Sequence, residues 1–307
     1  MKRLMACACL AAVTSLVTAA HSMQEAASAR LLIDAVAVDR QGRPVTDLKQ
    51  EDVEVWIGHF RVPIESFSAV TPGSPDRDDR GGRLVVLVMD DMTGQLTLIA
   101  RAKEVARRFV TRLSPGDRMA VVMLNGGAME ATSDSARLLH AIDRYTVGAM
   151  GVQTVDNLGV HVLKTVSALA GQMVEGPQQR KAIVIIGNGG LLDRPLPPPQ
   201  AGRDLLPEWI ETMRTLSMAN ANVYVIDPIG VGLRTDAGNS GFARETGGVA
   251  FLNTNDLNGA ADQIMREAGS YYLMTVASPP VGGRGLRELE LKSRRSGVTL
   301  RARRAIH

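Results

Sequence analysis

The chain has 307 residues, 45% of them hydrophobic and 22% charged, with a formal net charge of +3. That length allows one large domain or two small ones, and the near-neutral balance excludes an electrostatic case for nucleic-acid binding. Aromatic residues make up only 4%, so Val, Ile, Leu, Ala and Met must fill the core, a bias that suits helices packed on a parallel sheet.

The chain opens MKRLMACACLAAVTSLVTAAHSM. A basic start (Lys2, Arg3), an apolar run from Leu4 to Val17 and small residues after it read as a secretory signal peptide over residues 1–22, cleaved after Ala19 or Ser22. The run falls short of the ~20 apolar residues of a spanning helix. The protein is therefore expected to be exported, whether periplasmic, held in the cell envelope or secreted. Both cysteines, Cys7 and Cys9, lie in this segment, so the mature chain needs neither disulfides nor thiol chemistry. Without Lys2 and Arg3 the net charge falls to about +1.

Residues 30–70 read as an N-terminal β segment. LLIDAVAVD is a strand and RQGRP a turn, and VTDLKQEDVEVWIGHFRVPIESFSAV supplies short strands with Trp56, Ile57 and Phe67 as core candidates. TPGSPDRDDRGG, residues 71–82, is a polar linker. Over residues 83–270 the pattern alternates. LVVLVMD, RMAVVMLN, KAIVIIGN and ANVYVIDP are buried strands, and LTLIARAKEVARRFVTRL, SARLLHAIDRY, TVDNLGVHVLKTVSALAGQM and LPEWIETMRTLSMAN carry helical spacing. FARETGGVAFLNTNDLNGAADQIMREAGS adds a helix, a short strand and a helix capped by Asn255 or Asp256. Such alternation predicts an α/β fold with a doubly wound, mainly parallel sheet. Residues 271–307 return to β segments: YYLMTVAS, LRELELKSR and GVTLRARR. They are expected to pair with 30–70 into one small sheet, a β domain built from both chain ends. The basic run at the end reads as a strand with an exposed basic face.

No catalytic constellation emerges, and no enzyme activity is expected. His21 and Ser240 lie in motifs resembling those of chymotrypsin-like proteases, but the first sits at the signal cleavage region and a β/α chain follows. The five histidines are scattered without metal spacing. The glycine-rich strand ends at Gly126-Gly127 and Gly187–Gly190 lack the fuller pattern of a phosphate loop. Asp227-Pro228 reads as a turn starter. No small-molecule substrate is implied.

AVDRQGRPVTDLKQEDVEVW, LVVLVMDD, RLSPGDRMAVVML, RKAIVIIGNGG, ANVYVIDPIGV, ETGGVAFLNTNDL and GSYYLMTVASPP together resemble the von Willebrand factor type A domain. They are most similar to the exported bacterial proteins related to it. The resemblance implies a Rossmann-like sheet with helices on both faces and a ligand site at the C-terminal ends of its strands, the usual place in open α/β sheets. It also implies a metal-ion-dependent adhesion site: D-x-S-x-S after the first strand, a Thr before a later helix, and an Asp after a central strand. A hard divalent cation held by few direct carboxylates keeps an open position for an acidic side chain of a partner.

Residue by residue, Asp90 matches the first Asp. The two Ser positions fall on Met92 and Gly94, Thr154 matches the Thr, and Asn188 stands where the family has Asp. Sliding the register by one gives Asp91, Thr93 and Gln95. Two readings stay open: a degenerate site in which Asp90, Asp91, Thr93, Thr154 and Asn188 hold Mg²⁺, Mn²⁺ or Ca²⁺ weakly, or acids that cap nearby amides or the helix starting near Gln95. The Pro-rich stretch Leu191–Asp204 follows a central strand and would overhang the site, with Asp193, Pro197 and Pro198 as candidate partner contacts. The reading is an exported, non-enzymatic, adhesion-type module for an unidentified protein partner, with a metal-independent envelope assembly component as the alternative. The oligomeric state is left open.

Overall fold

A computed structural model describes residues 30–72, 82–126, 130–148, 155–175, 180–187, 206–232, 241–277 and 287–306. The expected signal peptide, most of the 71–82 linker, and Thr154, Asn188, Asp193, Pro197 and Pro198 lie outside them.

The centre is a five-stranded parallel sheet in the order β6-β5-β7-β8-β9, formed by β5 (Leu84–Met89), β6 (Arg118–Met123), β7 (Lys181–Ile186), β8 (Ala221–Ile226) and β9 (Ala250–Phe251). The central strands are apolar runs because both of their faces are covered. Alternate residues point to opposite layers. Val86, Val88, Ile183, Ile185, Val223 and Val225 share one buried layer with α3 (Val155–Met173), α4 (Leu206–Ala219) and α5 (Gly241–Glu245). Val85, Leu87, Met89, Val184, Ile186 and Ile226 share the other with α1 (Ile99–Val110), α2 (Ser135–Asp143) and α6 (Leu257–Gly269). Of the two cap candidates for α6, Asp256 does the work: its Oδ1 accepts from the Gly259 amide at 2.8 Å. The α/β, doubly wound architecture expected from the alternation is present.

The chain ends form β strands as expected, but in two sheets rather than one. β1 (Arg30–Val38), β4 (Ile64–Val70), β10 (Tyr271–Ala277) and β12 (Thr299–Arg301) make an antiparallel sheet in the order β12-β1-β10-β4. β2 (Val53–Ile57), β3 (Phe60–Val62), β11 (Arg287–Ser293) and β13 (Ala305–Ile306) make the second, in the order β13-β11-β2-β3. They share one apolar core, with Ile33, Ala35, Tyr272 and Met274 from the first sheet and Val53, Val55, Ile57 and Leu289 from the second. Two sheets are needed because each strand alternates, and one sheet alone would leave these apolar faces in water.

That alternation also corrects the core list. Trp56 and Ile57 are consecutive in β2 and cannot share a face. Ile57 is buried, whereas Trp56 lies half-buried on the outer face with the Lys292 ammonium 4.9 Å above its ring. Phe67 packs against the sandwich core and stacks on Tyr272, ring centroids 5.0 Å apart.

The basic terminal run is not an exposed face either. Arg303 is buried and donates to Asp34 at 3.1 Å, and Arg301 is paired with the buried Glu267. Both turn inward because the outer face of the first sheet packs against the α/β unit, where carboxylates wait to compensate them.

Candidate functional site

The strand order places the site. β5 leads through α1 to β6 on one side, and the chain then crosses to β7 on the other, so the order reverses between β5 and β7. At such a switch point the connections diverge and leave a crevice beyond the strand ends. Asp90 follows β5 there, and Gly187 follows β7. The two touch: a Cβ added at Gly187 would lie 2.2 Å from the Asp90 Cβ and 2.7 Å from its Oδ2. Only glycine permits that approach.

Asp90 is 2% exposed. Its Oδ1 accepts from the amides of Met92 at 3.1 Å and Thr93 at 2.8 Å, and the Thr93 hydroxyl donates to Oδ2. A carboxylate offers roughly four acceptor directions, and the turn that follows Asp90 takes three of them.

Asp91 points elsewhere. Its Oδ1 accepts from the Asn125 amide at 2.8 Å, which ties it to the turn beyond β6. The pair that comes together, Asp90 and Thr93, takes one member from each of the two registers that the sequence left open, and Asp91 does not join them. Among the described residues the cluster offers one carboxylate and one hydroxyl, and no group of three or more His, Cys, Asp or Glu side chains converges. A divalent cation wants about six oxygens. The described residues alone do not fit one.

A residue absent from the sequence reading completes the site. Tyr145 is buried just past α2, and its hydroxyl donates to the Asp90 carbonyl at 2.8 Å. Burial, with the nearby Asp90 and Asp91 charges, pushes its pKa up to about 12. The Gly148 amide donates to the Asp91 carbonyl at 3.0 Å. On α3, His161 Nε2 lies 2.8 Å from the Leu124 carbonyl; as that oxygen only accepts, Nε2 carries the proton. Nothing in the spacing of SARLLHAIDRY announces Tyr145, because its partner lies 55 residues away.

The rest of the rim is braced in the same way. Asp227 is buried and its Oδ1 accepts from the Ile229 amide at 3.0 Å, the turn expected of Asp-Pro. Arg101 on α1 donates to the Ile229 carbonyl at 3.0 Å and to Asn255 Oδ1 at 3.3 Å, joining the loops after β8 and β9. Two large apolar side chains stand out from this framework: Leu96, 71% exposed after β5, and Val231, 63% exposed after β8.

No protein-family model and no curated protein matches the sequence. The five-stranded parallel sheet with helices on both faces fits a von Willebrand factor A-type fold. Among solved structures, the chain is similar to an aerotolerance-related membrane protein from Bacteroides fragilis NCTC 9343 carrying multiple mutations to serines. The identity is 14% and the TM-score 0.40, over 61% of this chain and 98% of that one.

Proposed function

We propose that the protein is an exported, non-enzymatic module of von Willebrand factor A type that recognises another protein at the C-terminal rim of its parallel sheet. The observation that carries this reading is the pair of exposed apolar side chains, Leu96 just before α1 and Val231 on the loop after β8 that Arg101 braces. Apolar anchors on a preorganised backbone lose little entropy on binding and so suit protein recognition. Affinity then comes from surface complementarity, and any cation is at most a helper. Export is supported by the sequence of residues 1–22; among the described residues no helix is long and apolar enough to cross a membrane.

The test is site-specific photo-crosslinking in envelope fractions, with the probe at Leu96, at Val231, and at Met218 at the end of α4 as a control. Crosslinks to the same protein from 96 and 231, absent from 218 and lost in Leu96→Asp/Val231→Asp, are expected. Crosslinks from 218 alone, or none from the rim, would overturn the proposal.

An envelope assembly role is the second reading, favoured by one feature of the sandwich. Among the described residues, β3 and β4 are the edge strands of the two sheets on one side, joined through Pro63. Free edges template pairing with another strand. A concentration-dependent oligomer in light scattering, abolished by Ser66→Lys at an exposed position of β4, would favour it.

A further inference from the structure

In the register that Asp90 sets, the two positions expected to carry hydroxyls are Met92 and Gly94, and the structure shows what stands in their place. Met92 is buried in the same apolar layer as Val88, Val122, Leu124 and Val162. At Gly94 an added Cβ would come within 2.8 Å of the Asp90 carbonyl, 2.9 Å of Val147 Cγ2 and 3.0 Å of the Tyr145 hydroxyl. Position 94 is therefore closed by the segment that follows α2. One residue has become core, and the other has made room for a strap.

That strap is fastened at two consecutive residues. Tyr145 donates to the Asp90 carbonyl and the Gly148 amide to the Asp91 carbonyl. The side chains of the same two acids face the other way: the Asp90 carboxylate holds its own turn through Met92 and Thr93, and the Asp91 carboxylate holds Asn125. Three connections of the rim, after β5, after β6 and after α2, thus converge on Asp90 and Asp91.

We infer that Asp90, Asp91, Thr93 and Tyr145 form a clasp that fixes the rim loops in one arrangement by hydrogen bonds, in the place where the resemblance would put a cation. The inference deepens the rim-recognition reading and rests on it: the recognition surface is preorganised and independent of divalent ions. The carboxylates are kept for their geometry as acceptors. Charge is secondary, so Asp90→Asn keeps the clasp. Its Oδ1 still accepts the two amides, and its amide nitrogen donates to the Thr93 hydroxyl.

Hydrogen exchange and thermal unfolding of the mature chain test this without reference to any partner. The chain is compared in EDTA and in millimolar Mg²⁺, Mn²⁺ or Ca²⁺. Protection of peptides covering 90–95 and 144–148 is expected to be the same in all four conditions and to be retained in Asp90→Asn. Tyr145→Phe removes one hydroxyl and is expected to speed exchange in both peptides on the order of tenfold. Thr93→Val is expected to speed exchange in 90–95 and serves as a second probe should Tyr145→Phe fold poorly. An ion-dependent rise in protection or midpoint that Asp90→Asn abolishes would overturn the clasp. Unchanged exchange in both Tyr145→Phe and Thr93→Val would do the same.

Discussion

Asp34 on β1 and Arg180 at the foot of β7, 146 residues apart in the chain, form a salt bridge in which each side chain is 1% exposed. Arg303 donates to the other oxygen of Asp34 at 3.1 Å, and Arg180 reaches on to the Gly247 carbonyl at 3.2 Å. Arg303 also donates to the Ser217 carbonyl at 2.9 Å. One carboxylate of the sandwich thus holds two guanidiniums against the foot of the parallel sheet.

Removing the acid should be costly out of proportion to its size. Asp34→Ala leaves two buried guanidiniums short of their counter-charge, and breaking such a pair costs about 3–5 kcal/mol. Urea unfolding at pH 7 checks it. A loss below about 1 kcal/mol would show that water or backbone carbonyls compensate the arginines.

The same acid sets a pH dependence. Burial alone would raise the Asp34 carboxyl above its ordinary 3.8, but Arg180 and Arg303 more than reverse this and leave it lowered. Asp117 is lowered too: burial opposes, and bonds from Arg83 and the Ser114 amide prevail. A carboxylate with a folded pKa below its unfolded value binds fewer protons when folded. Its stabilisation is full above the unfolded pKa and drains as pH falls through the folded one. Stability should hold from pH 7 to about 5 and fall steeply below about 4. Urea midpoints measured down this range in the wild type and in Asp34→Asn provide the check, with a shallower acid limb expected in the variant.

Gly187→Ala should disturb the rim directly, because its Cβ would overlap the Asp90 side chain at 2.2 Å. Overpacking of this kind costs about 1–3 kcal/mol. Here it should also expose the amides of Met92 and Thr93 to exchange. Calorimetry with hydrogen exchange reads both, and a variant as stable and as protected as the wild type contradicts the close packing.

On the same rim, beyond the edge strand β9, Asp256→Ala removes the acceptor for the Gly259 amide at the start of α6. Loss of such a cap costs about 1 kcal/mol, while Asn255→Ala, which caps nothing on α6, should leave that helix intact. Equal effects on helical content, followed by circular dichroism during melting, would argue against the assignment.

Much of the fold could be read from the residues alone. LVVLVM and AIVII are unbroken apolar runs because both sheet faces are covered, and that burial writes itself into the sequence. The pairing of the chain ends was visible because both are rich in short alternating β segments, but not the division into two sheets, since partners for β2 and β10 depend on long-range register. The acid turn was legible as far as Asp90 ending a strand. That Asp90 and Asp91 hold different partners needed the position of Asn125, and Tyr145 needed the course of the chain after α2. Arg180 and Lys181, charged residues where β7 begins, are both buried, which their residue types do not announce. Lys181 is accommodated by the Met173 carbonyl that closes α3, 2.6 Å from its ammonium.

The arrangement of the terminal strands carries a consequence for how the molecule is made. In the first sheet, strands from the start and the end of the chain alternate, and the Leu48 amide finds its acceptor in Tyr272, 224 residues later. Closing so long a loop is entropically unfavourable and slow. The parallel sheet, with its shorter connections, has the opportunity to form first and to bring the two ends within reach. Until the final segment emerges, β1 and β2 have no neighbours from the far end of the chain. The last strands therefore act as the closing step of assembly, and a chain cut short near residue 287 would keep the parallel sheet and the β1-β10-β4 part of the first sandwich sheet, faced only by the β2–β3 pair of the second.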